Sequence, residues 1–145
     1  NNLCEIAENL LNDSPLISLK FEALDILNKN KWTRASNSVL AFFSSSQKDF
    51  ENNLVTEDQF VTLISSLVNI SPLDAVTPLI KYLGELNQQL EYNNTFTQNV
   101  VLAVINSLGA IGDKSAFDSL LSVTYLNYPE VVLSAARQAL AGLRW

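Results

Sequence analysis

Few side chains in this sequence could carry out chemistry, and most reactive combinations are absent. The chain contains no histidine and a single cysteine, Cys4. Without histidine there is no Ser-His-Asp or Cys-His catalytic arrangement and no histidine-containing zinc site. A single cysteine also excludes a thiolate zinc cluster and CxxC redox chemistry within the chain. We therefore expect a protein that is not an enzyme and that binds no metal and no cofactor.

Paired carboxylates are the remaining candidates for acid–base catalysis. Glu57 and Asp58 are adjacent, and Glu85 and Glu91 lie in one segment with helical periodicity. Catalysis by such a pair requires a cleft that shifts the two pKa values. Acidic residues also accumulate at helix starts because the helix dipole favours them there, and we prefer that interpretation. Asp113 is interpreted in the same way, as a helix cap.

The elements that would position these side chains form an internal repeat. Residues 97–121 align without a gap on residues 56–80, a displacement of 41 positions. Residues 97–113 align also on residues 129–145, and a fainter copy occupies residues 13–27. The last apolar position of the pattern is shared by Leu27, Ile70, Ile111 and Leu143. A unit of about 40 residues that holds two helices is the signature of an α-solenoid.

The clearest copy of the repeat carries the string Ser107-Leu108-Gly109-Ala110-Ile111-Gly112-Asp113, preceded by a helix with the small residue Ala103. This string resembles the PBS-lyase-like subtype of HEAT repeats. The resemblance implies an all-α fold, a right-handed α-α superhelix of about four helix pairs. It places one domain over residues 1–145, with repeats at approximately 1–30, 31–71, 72–112 and 113–145.

Capping residues predict where several helices begin and end. Ser14-Pro15 and Ser71-Pro72 each predict an N-cap followed by a proline at the first helical position. Thr56 and Gln59 have the spacing of a capping box, and Gly112 is placed to end a helix. Residues 44–46 are three serines, a weak point where the first helix of the second repeat could break. Whether that helix and the long first helix of the third repeat are continuous stays open.

Composition restricts the partners. The chain has 145 residues, 48% of them hydrophobic, and a net charge of −6. Its nine basic residues are scattered singly, which argues against nucleic acid, whose binding depends on clustered Lys and Arg. No apolar run approaches the length of a membrane-spanning helix, so we expect no membrane partner. Because the sequence contains no methionine, we expect a processed product or a piece of a longer protein.

The repeat register predicts a ladder of polar side chains. In HEAT-like arrays the second helices line a concave face, which usually binds partners. Glu22, Ser65, Asn106 and Gln138 occupy one equivalent position, and a position that is polar in every repeat should face solvent. Asp58 and Asn99 are predicted to form a second rung of this ladder, one turn before the repeated position. Arg137 adds a cation at its C-terminal end and completes the predicted partner-binding ladder.

A non-enzymatic scaffold or adaptor that binds a protein partner through this ladder is the preferred function. Two alternatives stay open: a regulatory or lyase-type HEAT module that acts on a small ligand, and a structural spacer. Exposed aromatic residues would be candidate hot spots for a protein partner. The candidates are Trp32, Tyr82, Tyr92, Tyr125 and Tyr128. Trp145 is expected either to cover the open end of the array or to mark a truncated array. Cys4 is expected on the inner face of the first helix, beside Leu3, Ile6 and Ala7.

Overall fold

The computed structural model describes residues 2–145, and their regular structure is helical. Eight α-helices and two short 3-10 helices occupy these residues, with no β-strand among them. The predicted all-α class is therefore confirmed. The chain divides into two compact units, an N-terminal one that ends at Pro72 and a C-terminal one from Leu73 to Trp145. This division falls within one residue of the predicted start of the third repeat.

The N-terminal unit contains two helix pairs. Its elements are α1 (Asn2–Asp13), α2 (Ile17–Lys29), a 3-10 helix (Thr33–Ala35), α3 (Ser36–Glu51) and α4 (Glu57–Ile70). Within the pairs, α1 packs on α2 and α3 packs on α4. Between the pairs, α1 packs on α3 and α2 packs on α4. First helices thus contact first helices, and second helices contact second helices.

The C-terminal unit repeats this arrangement. Its elements are α5 (Val76–Asn93), α6 (Gln98–Ile111), a 3-10 helix (Lys114–Ala116), α7 (Phe117–Thr124) and α8 (Glu130–Ala141). Here α5 packs on α6, α7 on α8, α5 on α7 and α6 on α8. Each unit therefore stacks two helix pairs in the way that consecutive units of a helical repeat do.

Apolar residues at helical spacing build the core of each unit. In the N-terminal unit Phe60 stacks on Phe43 and Phe50, with ring centroids 6.0 and 4.8 Å apart. Phe60 and Phe43 are buried, so their aromatic surface is removed from water, the main driving force for packing. In the C-terminal unit Leu79 and Leu83 of α5 face the interior together with Ile105 of α6.

Two of the predicted helix ends are confirmed. The Thr56 hydroxyl accepts a hydrogen bond from the Gln59 backbone N–H at 3.1 Å, and the Gln59 side chain accepts from the Thr56 N–H at 3.0 Å. This is the complete capping box. At the other predicted end, Gly112 terminates α6 in the left-handed conformation, with φ of 74°.

The two predicted Ser-Pro caps are wrong, because neither helix begins at its proline: the N-cap residue is Leu16 for α2 and Ala75 for α5. Ser14 accepts a hydrogen bond from the N–H of Leu16 at 3.2 Å, which makes a local turn, and α2 begins only at Ile17. The Ser71 hydroxyl donates to the carbonyl of Ser36 at 3.3 Å, and α5 begins at Val76. α2 therefore starts two residues after Pro15, and α5 starts four residues after Pro72.

The long first helices are continuous. α3 runs for 16 residues through the three serines, where the Ser45 hydroxyl donates to the Phe42 carbonyl at 3.1 Å. This bond stays inside the helix, so the serines do not interrupt it. α5 runs for 18 residues without a break.

Cys4 is buried on the inner face of α1, as predicted, together with Ala7. Leu3 and Ile6, which were expected beside it, are instead exposed to 52% and 56%. The inner face is completed by Leu11, one turn after Ala7.

A buried hydrogen bond in the C-terminal unit holds the turn between α7 and α8 against α5. The Tyr128 hydroxyl donates to Oδ1 of Asn87 at 2.8 Å, and its ring meets Phe96 edge to face. Burial raises the pKa of Tyr128 to about 12. The phenol is therefore neutral and able to donate throughout the physiological range.

Candidate functional site

α6 and α8 approach each other closely because of a glycine. A Cβ atom added to Gly109 would lie 2.9 Å from both Cα and Cβ of Ala139, closer than real Cβ contacts. Only glycine therefore fits at residue 109 while the helices keep this separation. The small side chain of Ala139 on the facing helix completes the contact.

A surface groove runs along this contact, and we name it the α6–α8 groove. Its larger part has a volume of about 440 Å³ and is lined by Leu102, Asn106, Glu130, Val131, Ser134, Ala135 and Gln138. A smaller part of about 170 Å³ is lined by Asn106, Gly109, Ala135, Gln138 and Ala139. The two parts are continuous because they share Asn106, Ala135 and Gln138.

Two of the four predicted ladder residues of the C-terminal unit, Asn106 and Gln138, come together at this groove. Asn106 and Gln138 are exposed and line both of its parts. Asn99 is exposed on the first turn of α6, two turns before Asn106 and not one turn as predicted. Arg137 is exposed on α8 and forms an ion pair with Glu130 of the groove lining.

The other three ladder residues belong to the N-terminal unit. Glu22 is exposed on α2, and Asp58 and Ser65 are exposed on α4. The prediction that the repeated polar position faces solvent is thus confirmed for all four of its members. Near the C-terminal ends of α2 and α4, Asn69 donates from Nδ2 to Oδ1 of Asn28 at 2.8 Å.

The lining of the α6–α8 groove can form hydrogen bonds without carrying much charge. The carboxamides of Asn106 and Gln138 each offer a donor and an acceptor, and Ser134 offers a hydroxyl. The one carboxylate of the lining, that of Glu130, is paired with the Arg137 guanidinium. Val131 adds an apolar contact, since half of its surface is exposed. Such a surface suits neutral polar and small apolar groups of a partner.

Sequence reasoning missed most of the groove lining. Leu102 precedes Asn106 by one turn of α6, and Ser134 and Val131 precede Gln138 by one and two turns of α8. Helical periodicity from the two predicted residues could have found them. Glu130 could have been found as a partner of opposite charge for Arg137.

Three of the acidic residues considered above lie at helix starts. Glu57 and Asp58 lie in the first turn of α4, where the helix dipole favours acids. Asp113 accepts hydrogen bonds from the backbone N–H and the hydroxyl of Ser115, at 2.9 and 2.8 Å. These bonds, and more weakly the charges of Arg144 and Lys114, hold its pKa below the usual value. Asp113 is thus an ionised cap, as predicted, although the element that it caps is the 3-10 helix before α7.

The aromatic candidates divide by exposure. Tyr92 and Tyr125 are exposed, whereas Tyr82 and Tyr128 are buried. Trp32 is half-buried, with the Arg34 guanidinium 5.1 Å from its ring centroid. Trp145 meets Phe117 edge to face at 5.4 Å but is 79% exposed, so it leaves most of its own surface open to solvent.

Among residues 2–145 the structure shows neither a metal-binding cluster nor a membrane-spanning helix. No group of three or more His, Cys, Asp or Glu side chains in this range is placed to hold a metal ion. None of the helices in the same range combines the length and apolar character needed to cross a bilayer.

Comparison with known proteins gives no relative for this chain. No family model matches it, no curated protein matches it, and no solved structure matches it.

Proposed function

We propose that this chain is a non-enzymatic protein-interaction module of the HEAT-repeat type, and that it binds a protein partner through the α6–α8 groove. The observation that carries the proposal is the pair of exposed carboxamides, Asn106 and Gln138, over a groove with the exposed apolar side chain of Val131 at its side. Specific protein interfaces combine an apolar centre with hydrogen-bonding groups around it.

Several features support a protein partner over a small ligand. The lining contains no titratable side chain except Glu130, whose carboxylate is paired with Arg137. Small-molecule sites are mostly apolar and converge a few polar groups on one point. Four of the nine residues that line this groove are instead polar: Asn106, Glu130, Ser134 and Gln138. The repeat string around Gly109 supports the HEAT assignment, because the glycine has a packing role in the α6–α8 contact.

Site-specific photocrosslinking tests the proposal. A photoreactive benzoylphenylalanine at Gln138 should capture a partner from native lysate as a defined adduct, and mass spectrometry should identify the same protein when the probe replaces Asn106. The same amino acid at Glu85, exposed on α5, serves as the control position and should not capture it.

Interface variants complete the test. Asn106→Lys with Gln138→Lys should abolish binding of the purified partner, because two unpaired cations would be desolvated in the complex. Glu85→Lys changes charge elsewhere on the unit and should leave the affinity unchanged. If the double variant binds as tightly as the wild type, the groove is not the interface. If no position captures a protein, the spacer alternative is preferred.

A further inference from the structure

Three segments of the sequence match Asn-x-Ser/Thr, the acceptor pattern of N-linked glycosylation: residues 12–14, 69–71 and 93–95. In this modification the side-chain amide of the asparagine receives a sugar, and the hydroxyl group two residues later completes the pattern. A pattern this short also arises by chance in a chain rich in asparagine. The fold, however, places the three segments in different environments, and these environments distinguish one of them.

The segment at Asn69 is closed to modification by its hydrogen bonds. Nδ2 of Asn69, the atom that would receive the sugar, donates to Oδ1 of Asn28 at 2.8 Å. Ser71 is 2% exposed, and its hydroxyl donates to the carbonyl of Ser36. Ile70 between them is buried. A sugar at Asn69 would therefore break the hydrogen bond that joins α2 to α4.

The segment at Asn12 is held in helical geometry. Asn12 lies in the last turn of α1, and the N–H of Ser14 donates to the Leu10 carbonyl at 3.0 Å, so the helical hydrogen-bond pattern extends to Ser14. Residues two positions apart on a helix do not face each other. The Ser14 hydroxyl, moreover, accepts a hydrogen bond from the N–H of Leu16. The amide and the hydroxyl of this segment are therefore not presented together.

The segment at Asn93 lies on an open turn of the C-terminal unit. Asn93 is the last residue of α5, and Asn94 ends the helix in the left-handed conformation, with φ of 53°. Asparagine is one of the few residues that adopt this conformation readily. The chain thus leaves the helical path between Asn93 and Thr95. Residues 91–95 form the longest unbroken run of exposed residues within the described range 2–145.

Both groups of the acceptor pattern are accessible at this turn. Within residues 2–145 the side chains of Asn93 and Thr95 form no hydrogen bond, and both are exposed. The next residue, Phe96, meets the ring of Tyr128 edge to face at 5.5 Å, which fixes the turn to its unit. A glycan on Asn93 would therefore project into solvent without displacing a core side chain.

We propose that Asn93 is an N-glycosylation site, whose glycan is transferred from an oligosaccharide linked to a lipid diphosphate. Nδ2 of Asn93 forms a bond to the anomeric carbon of the first sugar as the bond from that carbon to the diphosphate oxygen breaks. The electron pair of the broken bond leaves on the diphosphate, and the amide nitrogen releases one proton. The site shares no residue with the lining of the α6–α8 groove, so it does not rest on the function proposed for that groove.

Glycosylation of the folded chain in vitro tests the inference. The purified chain is incubated with an oligosaccharyltransferase and a lipid-linked oligosaccharide, and intact-mass spectrometry counts the glycans that are added. The wild type should gain one glycan, and peptide mapping should place it on Asn93. Three short synthetic peptides, one for each segment, should all be accepted, because the selection among the segments comes from the fold.

Variants of the acceptor pattern complete the experiment. Asn93→Gln should gain no glycan and should keep the helicity of the wild type, because residue 93 is exposed and Gln is a good helix former. Thr95→Ala should also gain none, whereas Thr95→Ser restores a hydroxyl group and should be glycosylated. Asn12→Gln removes an exposed asparagine from another of the three segments and should still gain one glycan.

Three outcomes overturn the inference. The first is a folded wild type that gains no glycan under conditions in which the peptide containing Asn93 is glycosylated. The second is a glycan that maps to Asn12 or Asn69 of the folded chain. The third is a Thr95→Ala variant that is glycosylated as fully as the wild type, since the transfer would then not use the acceptor pattern.

Discussion

Within each unit the two second helices meet at the same position of the repeat, but the kind of contact differs between the two units. When the copies are aligned on Leu27, Ile70, Ile111 and Leu143, Asn28 and Asn69 correspond to Gly112 and Gly142. In the N-terminal unit a side-chain hydrogen bond of 2.8 Å joins Asn28 and Asn69. In the C-terminal unit the backbones themselves are close, since a Cβ added to Gly112 would lie 3.2 Å from the carbonyl oxygen of Gly142.

Where the α6 and α8 backbones are close, the lining of the α6–α8 groove contains the small residues Gly109, Ala135 and Ala139. Gly109, which aligns on Val68 of α4, removes a side chain from the contact between the helices. The surface above that contact is then lined by the longer side chains of Asn106 and Gln138. Backbone atoms in contact cannot move aside without shifting a whole helix. The side-chain amides of Asn28 and Asn69, in contrast, can rotate away from each other. The two junctions should therefore respond very differently to substitution.

The largest effect is expected from adding one methyl group to the C-terminal junction. Gly109→Ala should lower the free energy of unfolding by about 2 kcal/mol, because the new Cβ overlaps the backbone of Ala139. Urea denaturation followed by circular dichroism measures this change.

A second glycine supplies the control for that experiment. Gly84 lies within α5, and a Cβ added there would meet no atom within 4 Å. Gly84→Ala should therefore raise the free energy of unfolding by roughly 0.5–1 kcal/mol through helix propensity. Stabilisation by both substitutions would mean that α6 and α8 are not in close contact at residue 109.

A smaller effect is expected at the amide bridge of the N-terminal unit. Asn69→Ala should lower the free energy of unfolding by about 1 kcal/mol, the net value of one hydrogen bond, since the chain can relax around it. A double-mutant cycle with Asn28→Ala isolates the coupling between the two side chains. A coupling free energy near zero would contradict the bridge and leave the two junctions less different than the structure indicates.

A local signal predicted the cap of α4, whose two hydrogen-bonding residues lie within one turn of each other. Thr56 and Gln59 satisfy each other, so their spacing alone was sufficient. Ser71 is not an N-cap, since α5 begins only at Val76, and its hydroxyl instead donates to the carbonyl of Ser36, which is 35 residues away in sequence. A partner brought near by packing cannot be read from local spacing.

The same limit applies to the candidate site. Exposure of Asn106 and Gln138 followed from the repeat register, because a position that is polar in each copy faces water. The groove depends in addition on how closely α6 approaches α8, and that distance is set by Gly109 against Ala139. No local spacing in the sequence indicates that Gly109 of α6 contacts Ala139 of α8, which is 30 residues away in sequence.

The N-caps of α4 and α6 also differ, although both are threonines. Thr56 caps α4 through its hydroxyl, whereas Thr97, at the equivalent place before α6, makes no side-chain capping bond. Thr56→Ala should therefore lower the free energy of unfolding by about 1 kcal/mol, and Thr97→Ala by only a few tenths. Chemical denaturation of the two variants side by side provides the measurement. Equal losses would show that the capping box makes no special contribution to the N-terminal unit.

The smallest effect concerns acid stability. Asp113 aligns on Pro72, so only the C-terminal unit has a titrating cap at this position. Its pKa is lowered in the folded state from the ordinary value of 3.8, mainly by the hydrogen bonds from Ser115. A lowered pKa means that the unfolded chain binds the proton more tightly. The stabilisation is therefore fully present above the unfolded pKa and is lost as the pH falls through the folded one.

Asp113→Asn separates the charge from the cap. Asn can accept the same hydrogen bond from the Ser115 N–H but does not titrate in this range. Above pH 4 the urea midpoint of the wild type should be higher than that of the variant. The difference between the two midpoints should shrink as the pH is lowered below 3.8. A difference that is constant with pH would mean that the carboxylate gains nothing from folding. The turn between α6 and α7 would then depend on the left-handed Gly112 and on the 2.8 Å hydrogen bond from the Arg144 N–H to its carbonyl.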